Sequence, residues 1–95
     1  MERYKIIYHH QVVKVDIPRL GSIALTIKHA IYKKLTTRPE IYGERLRGTL
    51  KGYWKLRVEG WRVVYQIYGH TRELEIFGIN HRSDDYKKVI KRLKL

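Results

Sequence analysis

The spacing of hydrophobic residues divides this chain into stretches of different period. Residues 4–8, Tyr-Lys-Ile-Ile-Tyr, are β-branched and aromatic with large side chains on both faces, which predicts a first strand in a central position. From His10 to Leu20 the residues Val13, Ile17 and Leu20 recur at helical spacing. Val13, Val15 and Ile17 also alternate and Pro18 opposes a long helix, so a short helix is expected there. Ser22 after Gly21 can cap a second helix whose buried stripe is Ile23, Ile27, Ala30, Ile31 and Leu35, with Lys28, Lys33 and Lys34 off the stripe. That helix ends at Thr36-Thr37-Arg38-Pro39, because the residue before a proline is pushed out of the helical region. A polar loop with Gly43 follows. After Gly48 the period is two, and Gly52, Gly60 and Gly69 separate strands near 53–58, 61–68 and 72–79, an antiparallel meander. From Ser83 the period is helical again, with Tyr86, Val89, Ile90 and Leu93 on one side.

The turn at Glu59-Gly60 decides which side chains share a face. A two-residue turn pairs Val58 with Trp61, Arg57 with Arg62, Leu56 with Val63 and Lys55 with Val64, and opposed residues lie on the same side of the sheet. One side then carries Trp54, Leu56, Val58, Trp61, Val63, Tyr65 and Ile67, a surface able to receive the N-terminal helices. The other carries Tyr53, Lys55, Arg57, Arg62, Val64 and Gln66. Glu-Gly is a weaker turn signal than Asn-Gly, but a one-residue slip would bury three cations and expose two tryptophans. The charged side is therefore expected to face outward. Crowded cations repel unless an anion lies among them, and a phosphate suits them, since Arg offers its oxygens a planar fork of donors and Lys a point charge. Arg57 could equally pair with Glu59 or Glu75. Trp54 and Trp61 are expected to pack in the core, which leaves Tyr53 and Tyr68 as better candidates for stacking on bases.

Composition narrows the class. A chain of 95 residues, 43% of them hydrophobic, suits one domain over 1–95. It has no cysteine, which excludes disulfides, thiolate metal sites and a cysteine nucleophile and suits a reducing cytoplasm. The N-terminal apolar run Ile6-Ile7-Tyr8 is too short for a signal peptide or a membrane span. Twenty-one Lys and Arg against nine Asp and Glu give a formal charge of +12. With the basic residues spread along the chain, a folded basic surface is expected, which draws polyanions, nucleic acid first and acidic protein second. His9, His10, His29 and His70 lack the spacing and carboxylate company of a metal site. Asp84 and Asp85 read as charges at a helix N-terminus.

The segments Leu46-Arg47-Gly48, Gly52-Tyr53-Trp54-Lys55-Leu56-Arg57-Val58, Trp61-Arg62-Val63-Val64-Tyr65-Gln66-Ile67 and Asn80-His81-Arg82 with Tyr86 resemble the RelE/ParE toxin superfamily, over roughly residues 4–90. The resemblance implies an α+β fold with two N-terminal helices on a four-stranded antiparallel sheet, a short C-terminal helix, and a cognate antitoxin encoded next to the toxin. RelE-like members enter the ribosomal A site and cut mRNA, whereas ParE-like members share the fold and poison DNA gyrase. Lys55, Arg62, Arg82 and Tyr86 match the cleaving branch, with Arg47, Tyr53, Arg57 and His81 as further RNA contacts. Tyr53 departs from the pattern, standing where RelE-like nucleases can carry a second lysine. The function implied is a cytoplasmic, ribosome-dependent mRNA endoribonuclease; the alternative is a non-catalytic gyrase inhibitor.

Cleavage of RNA by its own 2′-hydroxyl needs a base, stabilisation of the phosphorane-like charge and an acid for the 5′-oxygen; neither metal nor cofactor is required. On this scheme Arg62 holds the phosphate oxygens, Arg82 the same charge or the leaving oxygen, and Lys55 or Tyr86 takes the proton, with His81 in reserve. Free Lys and Tyr titrate near about pH 10, so neighbouring cations are expected to pull the base down. Adjacent strand residues point to opposite faces, so His81 and Arg82 cannot both face the substrate if the strand continues. Lys87, Lys88, Lys91, Arg92 and Lys94 would make the last helix a contact surface for ribosomal RNA or an acidic antitoxin segment.

Overall fold

The computed structural model describes residues 3–95; Met1 and Glu2, where the N-terminal reading begins, lie outside the described residues. Strand β1 (Lys5–Tyr8) leads into helices α1 (10–20) and α2 (21–35), then a single turn α3 (Pro39–Tyr42) and a two-residue strand β2 (Glu44–Arg45). The meander follows as β3 (Trp54–Val58), β4 (Trp61–Tyr68) and β5 (Glu73–His81), and α4 (Lys87–Leu93) ends the ordered elements. Between α1 and α2 the chain turns at Gly21, whose φ of +61° glycine adopts without steric cost. Ser22 makes no capping hydrogen bond; a 3-10 turn over Gly21–Ile23 opens α2 instead.

The sheet runs β1-β5-β4-β3-β2, so it has five strands rather than four. All neighbours are antiparallel except β1, which pairs parallel with β5. Two corrections follow. β1 is an edge strand, not a central one: Ile6 and Tyr8 join the helix-side core while Ile7 stays partly exposed, and large residues on both faces do not distinguish a centre from a covered edge. β2 lies in the stretch read as a polar loop, because two charged residues carry no alternation to detect.

Helices α1 and α2 cover one side of the sheet. Ile27, Ile31 and Leu35 are fully buried against Leu56, Val63, Tyr65, Leu74 and Ile76, with Ile23, Ala30, Trp54 and Trp61 at the margin, as the helical stripe and the hairpin register predict. In α1 the buried positions are Val12, Asp16 and Leu20, through a π-type turn at Val12–Asp16, and Val13 is 53% exposed. Of the expected stripe Val13, Ile17 and Leu20, Leu20 is buried and Ile17 packs against the core, but Val13 gives way to Val12 and Asp16, since apolar spacing gives no reason to bury an aspartate.

Asp16 is buried because the far end of the chain comes to meet it. Arg92 donates from both guanidinium nitrogens to the Asp16 carboxylate at 2.9 Å each and to the Phe77 carbonyl at 2.8 Å. Ile79 N–H donates to Asp16 at 2.9 Å, and Lys88 Nζ lies 3.1 Å away. Burial pushes the Asp16 carboxyl up, but the hydrogen bonds from Arg92, Ile79 and Lys88 outweigh it and hold it below its ordinary 3.8. This clamp seats α4 on the second side of the sheet, where its Val89 packs with Leu50, Val64 and Phe77, and Leu46, Tyr53, Tyr86, Ile90 and Leu93 lie at the margin. That side is thus only partly open: Val64, expected to face outward with the cations, is wholly buried. Arg92 is likewise a clamp residue, 7% exposed, rather than part of a contact surface.

Candidate functional site

The β3–β4 hairpin forms in the predicted register, with Arg57 opposite Arg62 and Lys55 opposite Val64, and Glu59 takes the positive φ of 54° that such a turn requires. Lys55, Arg57 and Arg62 therefore share the side that α4 half covers. On β5, Val64 pairs with Gly78 and Tyr65 with Ile76, so Phe77 bulges and both Phe77 and Gly78 belong to this side. Beyond the bulge Asn80 stands opposite Arg62. Just past the end of β5, Arg82 N–H donates to Gly60 carbonyl at 2.8 Å, and its side chain is exposed. Tyr86, at the start of α4, completes the group.

The charges of the site are unequally satisfied. Arg57 Nε lies 2.9 Å from Glu44 of β2, a partner that was not among the expected Glu59 and Glu75. Glu44 stands opposite Lys55, so the site contains a carboxylate, which the sequence did not suggest. Among the described residues Lys55, Arg62 and Arg82 form no ion pair; Arg62 donates only to its neighbour's carbonyl, that of Trp61, at 3.1 Å. Burial pushes the Tyr86 phenol above its usual 10.0, against the opposing pull of Arg62 and Arg57 and with Glu44 pushing further up. The expectation that cations would depress this group is corrected: desolvation under α4 wins, and Tyr86 keeps its proton at neutral pH.

The remaining expected contacts separate. His81 lies on the opposite side, edge-on to Trp61 at 5.1 Å, with Nδ1 accepting from Ser83 N–H at 3.2 Å. Tyr53 is on the correct side but packs edge-on to Phe77 at 5.6 Å within the second core. Arg47 is exposed in the loop after β2 with no polar contact among the described residues. Tyr68 donates to Glu75 at 3.1 Å at the far end of β4, and burial with that carboxylate pushes its phenol up to about 12. Sequence reading missed Glu44, Asn80 and the clamp of Asp16 with Arg92; only Asn80, inside the quoted Asn-His-Arg segment, carried any local signal.

Among the described residues no group of three or more His, Asp or Glu could hold a metal, and no helix is long and apolar enough to cross a membrane. The family model for the ParE toxin of type II toxin–antitoxin systems matches residues 6–86. The fold is similar to that of a RelBE toxin–antitoxin complex from Mycobacterium tuberculosis, at 24% identity and TM-score 0.80, over 88% of this chain and 97% of that one. It is similar to a mutant of the Escherichia coli toxin RelE in the free state, at 23% identity and TM-score 0.68, over 97% and 94% of the two chains. An archaeal RelE–RelB complex from Pyrococcus horikoshii also matches, at 20% identity and TM-score 0.64, over 86% and 98%. No curated protein sequence matches significantly.

Proposed function

From the premise that this chain belongs to the ParE toxin family of type II toxin–antitoxin systems, within the RelE/ParE superfamily, we propose that it is a single-domain, ribosome-dependent mRNA endoribonuclease neutralised by an antitoxin partner. The observation that supports this reading is the juxtaposition on one face of Lys55 and Arg62, neither ion-paired among the described residues, beside the protonated phenol of Tyr86, with the exposed Arg82 just past the end of β5. Cations without internal counterions suit an incoming phosphodiester, whose binding relieves their mutual repulsion.

On this reading Arg62 and Arg82 donate to the non-bridging phosphate oxygens. Lys55, in its neutral form, takes the proton of the 2′-hydroxyl as that oxygen attacks phosphorus. The bond to the 5′-oxygen breaks, and Tyr86, raised rather than depressed in pKa, gives that oxygen its proton. The products are a 2′,3′-cyclic phosphate and a 5′-hydroxyl. Acid and base catalysis contribute about 100- to 10,000-fold; positioning of the nucleotide by the ribosome supplies much of the rest, so isolated protein cuts free RNA poorly. The test is translation-coupled mRNA cleavage by wild type, Arg62→Ala and Arg82→Ala. Equal cleavage by all three would remove the assigned site.

The match to the ParE model favours a second reading, a non-catalytic gyrase inhibitor. Gyrase-dependent DNA breaks with intact mRNA in cells expressing the chain would establish it in place of the first.

A further inference from the structure

His9 stands at the joint where β1 ends and α1 begins, beside the end of α4. Its backbone N–H donates to the Ile76 carbonyl of β5 at 2.9 Å, and its carbonyl accepts from Val12 and Val13 N–H at 2.9 and 3.3 Å. Its side chain serves the same helix, with Nδ1 accepting from Gln11 N–H at 3.1 Å. His9 therefore caps α1 in the place where Ser, Thr, Asp or Asn is the ordinary choice. A hydroxyl or an amide accepts at any pH the fold survives. An imidazole accepts only while neutral, because imidazolium carries a proton on both ring nitrogens.

The surroundings oppose the charged form. The His10 ring stacks on that of His9 at 4.4 Å between centroids, and the Phe77 ring lies 5.9 Å away. His9 and His10 line a cleft with Lys88, Lys91 and Arg92 of α4 and Lys94 just beyond it. A helix N-terminus also repels a cation through its macrodipole. Against these stand Glu75 of β5 and Asp16 of α1, the second already engaged by Arg92 and Lys88. Burial, then His10 and Arg92, outweigh the two carboxylates and hold the His9 imidazole below its ordinary 6.5. We propose that His9 is a proton-sensitive joint: taking up a proton breaks the α1 cap and sets a new cation against the basic α4, so that the first turn of α1 and α4 loosen together at mildly acidic pH. Because folding lowers this pKa, the contribution of His9 is complete above about pH 6.5 and is lost as the pH falls through the folded value, a window separate from that of Asp16 below 3.8. Tyr86 stands at the start of α4, so the joint governs the cover beside the cation face, whatever chemistry that face performs.

The test is amide hydrogen exchange of the full chain between about pH 7.5 and about pH 5, corrected for intrinsic rates, with the imidazole titrations followed by NMR in the same samples. The reporters are the Val12 and Val13 amides of α1 and the Ile90 amide of α4, which donates to the Tyr86 carbonyl at 2.9 Å. Their protection is expected to fall about fivefold on acidification, the usual effect of losing a helix cap, with the midpoint of the His9 titration. His9→Asn, which keeps an acceptor and cannot titrate, is expected to hold protection level across the range. Should that variant not fold, His10→Gln leaves the cap in place and removes the stacked imidazole, and is expected to keep the fall and move it to higher pH. Level protection in wild type, a fall that follows another histidine, a fall that persists in His9→Asn, one that His10→Gln leaves at the same pH, or one confined to α1 while Ile90 is unchanged would overturn the proposal.

Discussion

The two sides of the sheet are closed by different means. On one, two helices lay apolar stripes over apolar strands, and Ile27, Ile31, Val63 and Leu74 have no exposed surface. On the other, a helix of seven residues buries only Val89 completely, and cations occupy the strand positions beyond its reach. A helix so short is not stable alone and depends on what it docks against. Here the docking combines a small apolar patch with a forked arginine on a buried carboxylate. The difference explains why a polar site can exist at all: where the cover is long and apolar no strand position beneath it carries a charge, and where it is short and pinned by ions a strip of sheet stays accessible beside it.

The pin offers the sharpest way to break this comparison. Arg92→Ala would leave the Asp16 carboxylate, 0% exposed, without its forked partner and free the Phe77 carbonyl. Removing one member of a buried pair costs about 3–5 kcal/mol, and denaturant unfolding should read that loss. A cost within the ordinary range of a surface substitution, about 0.5 kcal/mol, would mean that apolar contact alone holds α4. The same carboxylate predicts a direction with pH. Its folded pKa is depressed below 3.8, so its stabilisation is complete above that value and is lost as the pH falls through the folded pKa. Unfolding midpoints measured downward from about pH 5 should fall more steeply for wild type than for Arg92→Ala.

Arg62→Ala tests the accessible half of the same side. Loss of one donor to transition-state charge typically costs about 100- to 1,000-fold in rate, and the substitution should leave the unfolding midpoint almost unchanged because Arg62 makes no ion pair among the described residues. Activity and stability would thus separate between Arg62 and Arg92, though both lie on the side that α4 covers. Gly78→Ala should give a smaller effect. An added Cβ would come 2.4 Å from Val89 Cγ2, forcing α4 away from the bulge at a cost of about 1–3 kcal/mol, readable in thermal unfolding.

Legibility in the sequence follows the same division. The stripe Ile27, Ile31, Leu35 and the pairing of Arg57 with Arg62 were readable because each is a local period of apolar residues, and a register slip would have exposed both tryptophans. The second side was readable only in part. Asp16 and Arg92 are 76 residues apart, and neither an aspartate in a helical stripe nor an arginine in a basic tail shows any periodic sign of the other. Glu44 sits on a strand two residues long, where alternation has no room to appear. The edge position of β1 is not legible in the sequence because large apolar residues on both faces suit a central strand and an edge strand covered by helices alike.

Glu44→Gln should give the smallest effect, and it isolates solvent as the cause of the contrast. The Arg57–Glu44 contact, at 2.9 Å, is as short as that between Arg92 and Asp16, but its side chains are 56% and 55% exposed. Water screens such a pair and side-chain ordering opposes it, so its loss should cost less than about 1 kcal/mol and fade further as salt is raised. Glu44 also pushes the Tyr86 phenol upward, so its removal should shift the alkaline titration of that phenol down, visible in phenolate absorbance against a Tyr86→Phe control. If Glu44→Gln instead destabilised the protein as much as Arg92→Ala, burial would not be what separates the two arginine–carboxylate pairs, and the account of how α4 is held would have to rest on something other than the dryness of Asp16.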